Sequence, residues 1–312
     1  MTTALITHAD CLRHETPDGH PEQVARLEHV LHALEPLDLM RVTAPMAAED
    51  DILRLHPKSY LDELRAKLPS EEAGPRIVQL DADTWMSPGS LDAAYRGVGA
   101  ALRAVDMVLG GEVGNAFCAT RPPGHHAEAE TPMGFCLFGT AALAAQYALD
   151  HHGLKRVAVV DFDVHHGNGS QELLSDEPRA LVITSQQVPL WPGTGTADET
   201  GGHNNVLNLP LPPESGSAEM RAAWGGPATE RLRAFRPELI VISAGFDAHR
   251  NDPLAQLNWE DEDYSWLTAH LCGLAEELCG GRIVSTLEGG YDLNTVAKLA
   301  KRHVEELMKA AT

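Results

Sequence analysis

The chain is expected to fold as an α/β protein with a largely parallel sheet covered by helices on both faces. Short apolar runs rich in Val and Ile alternate with helix-length segments from one end of the sequence to the other, the pattern of βα units. Runs such as Val157-Ala158-Val159-Val160 and Leu239-Ile240-Val241-Ile242 are continuously apolar, as strands buried on both faces must be. No Ser/Gly-rich linker or composition shift interrupts the 312 residues, so one domain over 1–312 is expected.

In order, the expected strands are Leu5–Thr7, Phe117–Ala119, Val157–Phe162, Leu181–Thr184, Val206–Leu209, Leu239–Ser243 and Ile283–Leu287. The expected helices are Pro21–Glu35, Pro57–Leu68, Pro88–Leu109, Thr140–His152, Ser217–Phe235, Asp261–Cys279 and Leu293–Lys309. Three of these open on proline, which the first helical turn tolerates. The longer loops Asp81–Gly89 and Val188–Asn205 are expected at a rim.

Polar chemistry gathers at the carboxyl ends of four strands, where open α/β sheets place their sites. Asp161-Phe162-Asp163-Val164-His165-His166-Gly167-Asn168-Gly169 follows the first run above. In extended chain Asp161, Asp163 and His165 share one side, and a carboxylate with an imidazole two residues on can grip one metal ion. A polar cluster satisfying only itself is the plainer reading, but it is a costly one to bury. Arg121-Pro122-Pro123-Gly124-His125-His126-Ala127 forms a rigid turn after another strand; its paired histidines read as acid–base groups. Asp247, after Leu239–Gly245, would complete a two-carboxylate, one-imidazole site with a position left for water; alone it reads as a turn residue. Tyr291, after Glu288-Gly289-Gly290, can donate a hydrogen bond to an oxyanion; alone it reads as packing.

These motifs, RPPGHHA, DFDVHHGNG, SAGFDAHRNDP and LEGGY in that order, resemble the histone deacetylase superfamily, which includes acetylpolyamine amidohydrolases and acetoin-utilisation proteins. The likeness runs from His20-Pro21-Glu22 to Tyr291 and is closest to the class II branch. It implies a three-layer αβα arginase/deacetylase fold with an eight-stranded sheet. Asp163, His165 and Asp247 match the family's zinc ligands, His125 and His126 its tandem histidines, and Tyr291 its carbonyl-polarising tyrosine. Asp161 and Asn168 match the partners of the first and second histidine. Asp161, with the backbone around Asp163, His165 and Ser185, matches a structural potassium site. Phe135, beside Gly134, and Trp191 match the aromatic walls of the acyl channel.

The activity so implied is zinc-dependent hydrolysis of an acylated amine, with His126 as general base and acid. Leu254 stands where polyamine-selective relatives carry a gatekeeper Glu, which favours an acyl-lysine protein or peptide, or another acylated small molecule, over acetylpolyamine. Acetylpolyamine hydrolysis is the alternative. A metal-bound sensor or binding protein would predict damage at His125, His126 or Tyr291, and all are present. A manganese amidinohydrolase would need an Asp-x-His-x-Asp pattern, absent here. Gln23 stands where relatives often carry an arginine lining an internal acetate path, and Gln187 where many carry His. Asp83 reads as a turn residue before it reads as a substrate contact.

A net charge of −21 argues against nucleic-acid binding; it suits a cationic substrate or simple solubility. Five scattered cysteines favour reduced thiols and a cytoplasmic setting. No apolar run reaches transmembrane length, and the N-terminus reads as a first strand rather than a signal peptide. Oligomeric state is not legible.

Overall fold

The computed structural model describes residues 1–70, 72 and 76–311. Its strands are β1 (Thr3–Thr7), β2 (Met40–Thr43), β3 (Val78–Gln79), β4 (Trp85–Met86), β5 (Asn115–Cys118), β6 (Val157–Asp161), β7 (Ala180–Gln187), β8 (Val206–Leu211), β9 (Leu239–Ala244) and β10 (Ile283–Leu287). Eight of them form one sheet in the order β2-β1-β5-β10-β9-β6-β7-β8, and every neighbouring pair in it is parallel. The other two, β3 and β4, pair antiparallel as a small hairpin.

Burial on both faces explains the continuous apolar runs. In β6, Val157 and Val159 enter one core while Ala158 and Val160 enter the other; β9 alternates likewise. Among the helices, α1 is Val24–Leu34, α2 Glu49–Ile52, α3 Lys58–Lys67, α4 Ser90–Leu109, α5 Thr140–Asp150, α6 Asn168–Leu174, α7 Ser217–Ala223, α8 Thr229–Phe235, α9 Asp261–Cys279 and α10 Leu293–Ala310. Apolar side chains of α3, α4 and α5 fill the first core. Those of α1, α7, α8, α9 and α10 fill the second. The result is the three-layer αβα architecture.

Three expectations need correction. The edge strand β2 was not anticipated: its residues are mostly exposed, so no apolar run marks it. Helix α1 starts at Val24 rather than Pro21, because Glu22 is drawn into the interior by Arg26 and Arg121. The expected helix Ser217–Phe235 breaks between α7 and α8, where Gly226 leaves helical backbone angles and Pro227 follows; proline removes a donor and crowds the preceding turn.

All five cysteines are buried and unpaired. Among the described residues, no helix is long and apolar enough to cross a membrane.

Candidate active site

The sheet order gathers the four motifs. The strands that carry them, β5, β10, β9 and β6, are consecutive neighbours at its centre. Because these strands are parallel, their carboxyl ends converge on one place.

Asp163, His165 and Asp247 present one ligand atom each within 4.8 Å of one another, and all three are buried. His165 Nδ1 lies 3.2 Å from Asp163 Oδ1 and 3.1 Å from Asp247 Oδ2. Backbone donors fix the carboxylates: Gly289 N–H donates to Asp163 Oδ2 at 2.8 Å, and Val164 N–H to Asp247 Oδ1 at 2.8 Å. Glycine is required at 289, since a Cβ there would run into both carboxylates. Burial, reinforced by the charge of Asp163, pushes the Asp247 carboxyl up to about 7. Two buried carboxylates and an imidazole with so little room between them suit a divalent cation, whose charge would offset that repulsion. The donor set therefore fits the metal that the motifs imply.

The tandem histidines face different partners. His125 Nδ1 lies 3.0 Å from Asp161 Oδ2, and His126 Nδ1 lies 2.8 Å from Asn168 Oδ1. Burial favours the neutral form of His125, but Asp163 and Asp161 outweigh it and hold the ring well above its usual range. Burial and the neighbouring rings of His125 and His165 hold His126 well below it. The Asn168 amide is oriented by Glu128, whose Oε1 accepts from Nδ2 at 2.8 Å. Its carbonyl oxygen thus faces His126, which places the proton on Nδ1 and leaves Nε2 as an acceptor.

Tyr291 lines the same cavity, of about 410 Å³, with His126, His165, Gly134, Phe135, Trp191 and Leu254. Burial holds its hydroxyl well above the usual phenol range, against the opposing charge of Arg26. The Arg26 guanidinium lies 4.9 Å from the centre of the Tyr291 ring. Phe135 stands edge-on to Tyr291 at 5.8 Å, and Trp191 edge-on to His126 at 4.7 Å. Asp83 also lines the cavity, although its sequence context favoured a plain turn. Both expected rim segments line the cavity, Asp83 and Trp85 from one and Leu190 and Trp191 from the other, although the first is not all loop, since Trp85 lies on the short strand β4. Thr84 pins the first, its hydroxyl accepting from Phe135 N–H at 3.0 Å.

Ser185 sits on β7 beside the end of β6, in a register that pairs Asp161 with Thr184. Its hydroxyl accepts from Trp224 Nε1 at 3.0 Å. Asp161 Oδ1 accepts from Asp163 N–H at 3.0 Å.

Several site residues escaped the sequence reading. Arg26 is fully buried and donates to the carbonyls of Glu288 and Gly290, each at 2.6 Å. It lies one helical turn beyond Gln23, so the interior keeps an arginine despite the glutamine. Glu22 joins Arg26 to Arg121, and both guanidiniums donate to its carboxylate. Glu288 accepts from Gly124 N–H at 2.7 Å and His125 N–H at 3.2 Å, tying the tyrosine turn to the histidine turn. Asp252 accepts from Tyr291 N–H at 2.7 Å and Leu254 N–H at 3.0 Å. Gln187 is buried and its Oε1 accepts from Gln256 N–H at 2.8 Å, so it braces a loop.

A histone deacetylase domain model matches residues 20–307. The fold and the strand-end site define a hydrolase of the deacetylase and amidohydrolase kind, and the chain belongs to the histone deacetylase family. It is 41% identical to the protein slr0245 of Synechocystis sp. over 98% of this chain and 99% of that one. It is 37% identical to a histone deacetylase-like amidohydrolase of Pseudomonas aeruginosa, covering 93% of this chain and 77% of the relative. The crystal structure of the HDA15 HD domain superposes with a TM-score of 0.90 at 31% identity, over 97% of this chain and 90% of that one.

Proposed function

We propose that the chain, acting as one catalytic unit, is a zinc-dependent deacylase of acyl-lysine-like amines. The observation that carries this reading is the Asp163–His165–Asp247 group at a cavity shared with His126 and Tyr291. Zinc held by those three ligands would polarise the amide carbonyl and make bound water more acidic. His126 Nε2, free to accept, takes the water proton and later delivers it to the leaving amine. His125, charged against Asp161, stabilises negative charge and positions its neighbour. The Tyr291 hydroxyl, held protonated, donates to the developing oxyanion. Asp161 and the backbone around Asp163, His165 and Ser185 would hold a structural potassium ion beside the end of β6.

Phe135, Gly134, Trp191 and Leu254 form a mostly apolar passage suited to an aliphatic acyl-amine arm. Leu254 supplies no charge for a secondary ammonium. Asp83 in the cavity lining favours the second reading, acetylpolyamine, since a carboxylate there suits a cation. The test is turnover of a fluorogenic acetyl-lysine substrate by zinc-reconstituted protein, with acetylspermidine as competitor. Zinc-dependent release with little competition supports the first reading. Strong competition with acetylspermidine turnover supports the second, and no turnover at full metal occupancy overturns both.

A further inference from the structure

A second group of metal-ligating side chains lies away from the cavity. Helices α4 and α5 pack side by side. Asp106 stands near the end of α4, and His151 and His152 directly follow α5. Their ligand atoms lie within 4.8 Å of one another, with Asp106 half-buried and both histidines exposed. His152 Nε2 is 2.8 Å from Asp106 Oδ1. The rings of His151 and His152 approach to 5.1 Å at 77°, so these sequence neighbours converge instead of splaying apart.

One tyrosine orients two of the three. The Tyr147 hydroxyl donates to Asp106 Oδ1 at 3.0 Å, and its ring stacks on His151 at 4.6 Å and 10°. Outer partners of this kind fix ligand geometry at metal sites. Pairing holds His152 to Asp106 and stacking holds His151 to Tyr147, and together they bring three ligand atoms around one point. Arg54, 5.3 Å from the centre of the Tyr147 ring, pairs with Asp51 at 3.3 Å and Asp150 at 4.0 Å. A tetrahedral ion sets its ligand atoms roughly 3.3 Å apart, a gap that small rotations of exposed side chains close.

We propose that Asp106, His151 and His152 form a second, surface site for a divalent transition metal such as Zn²⁺. Two imidazoles and one carboxylate favour such an ion over Mg²⁺ or Ca²⁺, which take oxygen ligands. The remaining coordination positions face solvent and hold water.

The experiment is equilibrium dialysis of the full chain against zinc chloride with elemental analysis, beside a magnesium chloride control. It compares the parent with His151→Ala/His152→Ala, Asp106→Asn and Tyr147→Phe. The double variant is expected to hold one zinc per chain fewer than the parent. Asp106→Asn is expected to weaken that ion by at least about tenfold, and Tyr147→Phe by about tenfold. Because chains are compared with one another, a failure of the cavity site to bind zinc lowers every count and leaves the difference intact. Equal counts in parent and double variant overturn the site. So does loss in the double variant with no change in Asp106→Asn, which would reveal only a pair of surface histidines.

Discussion

At the scale of single residues, the site separates two adjacent histidines by giving one a carboxylate and the other an amide. Such divergence is how paired groups acquire distinct acid and base duties. Asn168→Asp removes that separation. A carboxylate at His126 Nδ1 favours its charged form and should move the acid limb of kcat/KM to higher pH by about one to three units. A pH–rate profile at saturating zinc checks this, and an unmoved limb contradicts the role given to Asn168. Tyr291→Phe removes only a hydroxyl. If that hydroxyl stabilises the oxyanion, turnover should fall about 100- to 1,000-fold. Burial keeps His303 neutral, with its pKa lowered to about 3, between the hydroxyls of Thr268 and Ser285. The unfolded ring binds a proton near pH 6.5 and the folded ring does not. Its stabilising contribution is therefore complete above that pH and is lost as the pH falls towards 3. Denaturant melts should show a shallower loss of stability over that window in His303→Gln than in the parent.

At the scale of elements, the sheet does the assembling. Motifs up to 170 residues apart, from Arg121 to Tyr291, meet because β5, β10, β9 and β6 are neighbours. The turn after β10 packs directly against two of the candidate ligands, Asp163 and Asp247. Gly289→Ala should lower metal uptake by one ion per chain, since its new methyl group would occupy carboxylate space at the cavity site; elemental analysis beside circular dichroism checks that this ion goes while the secondary structure stays. Legibility in the sequence follows from the same geometry. The central strands and Asp163, His165 and Asp247 were readable because continuous apolar runs end in clustered polar residues. Edge strand β2 was not, since solvent covers it and no apolar run is needed. The break before α8 rests on Gly225-Gly226-Pro227, a visible signal passed over within a long helical pattern. Glu22, Arg26, Asp252 and Glu288 were not legible as site residues. Three of them lie within the quoted motifs, yet no spacing gives any of the four a role; their meaning comes from partners on distant elements. Arg26 meets Gly290, 264 positions away.

At the scale of the whole molecule, metal binding at the proposed site would be coupled to the fold through buried carboxylates. Asp247 is raised to about 7, well above its unfolded value. In the metal-free protein its favourable contribution is therefore present at low pH and lost as the pH rises through about 7. A cation that binds the ionised form competes with that proton. Zinc should raise Tm more at pH 8 than at pH 6, a difference that thermal melts with and without chelator measure directly. The same coupling ties stability to activity, because the ligands that relieve the fold also line the cavity with His126 and Tyr291. The most direct test of deacylation at this site is zinc-dependent turnover of an acetyl-lysine substrate by the parent and by Tyr291→Phe at matched metal content. The proposed deacylation predicts robust release by the parent, reduced at least about 100-fold in the variant. Turnover that survives in Tyr291→Phe to within tenfold, or none in the fully metallated parent, would contradict it.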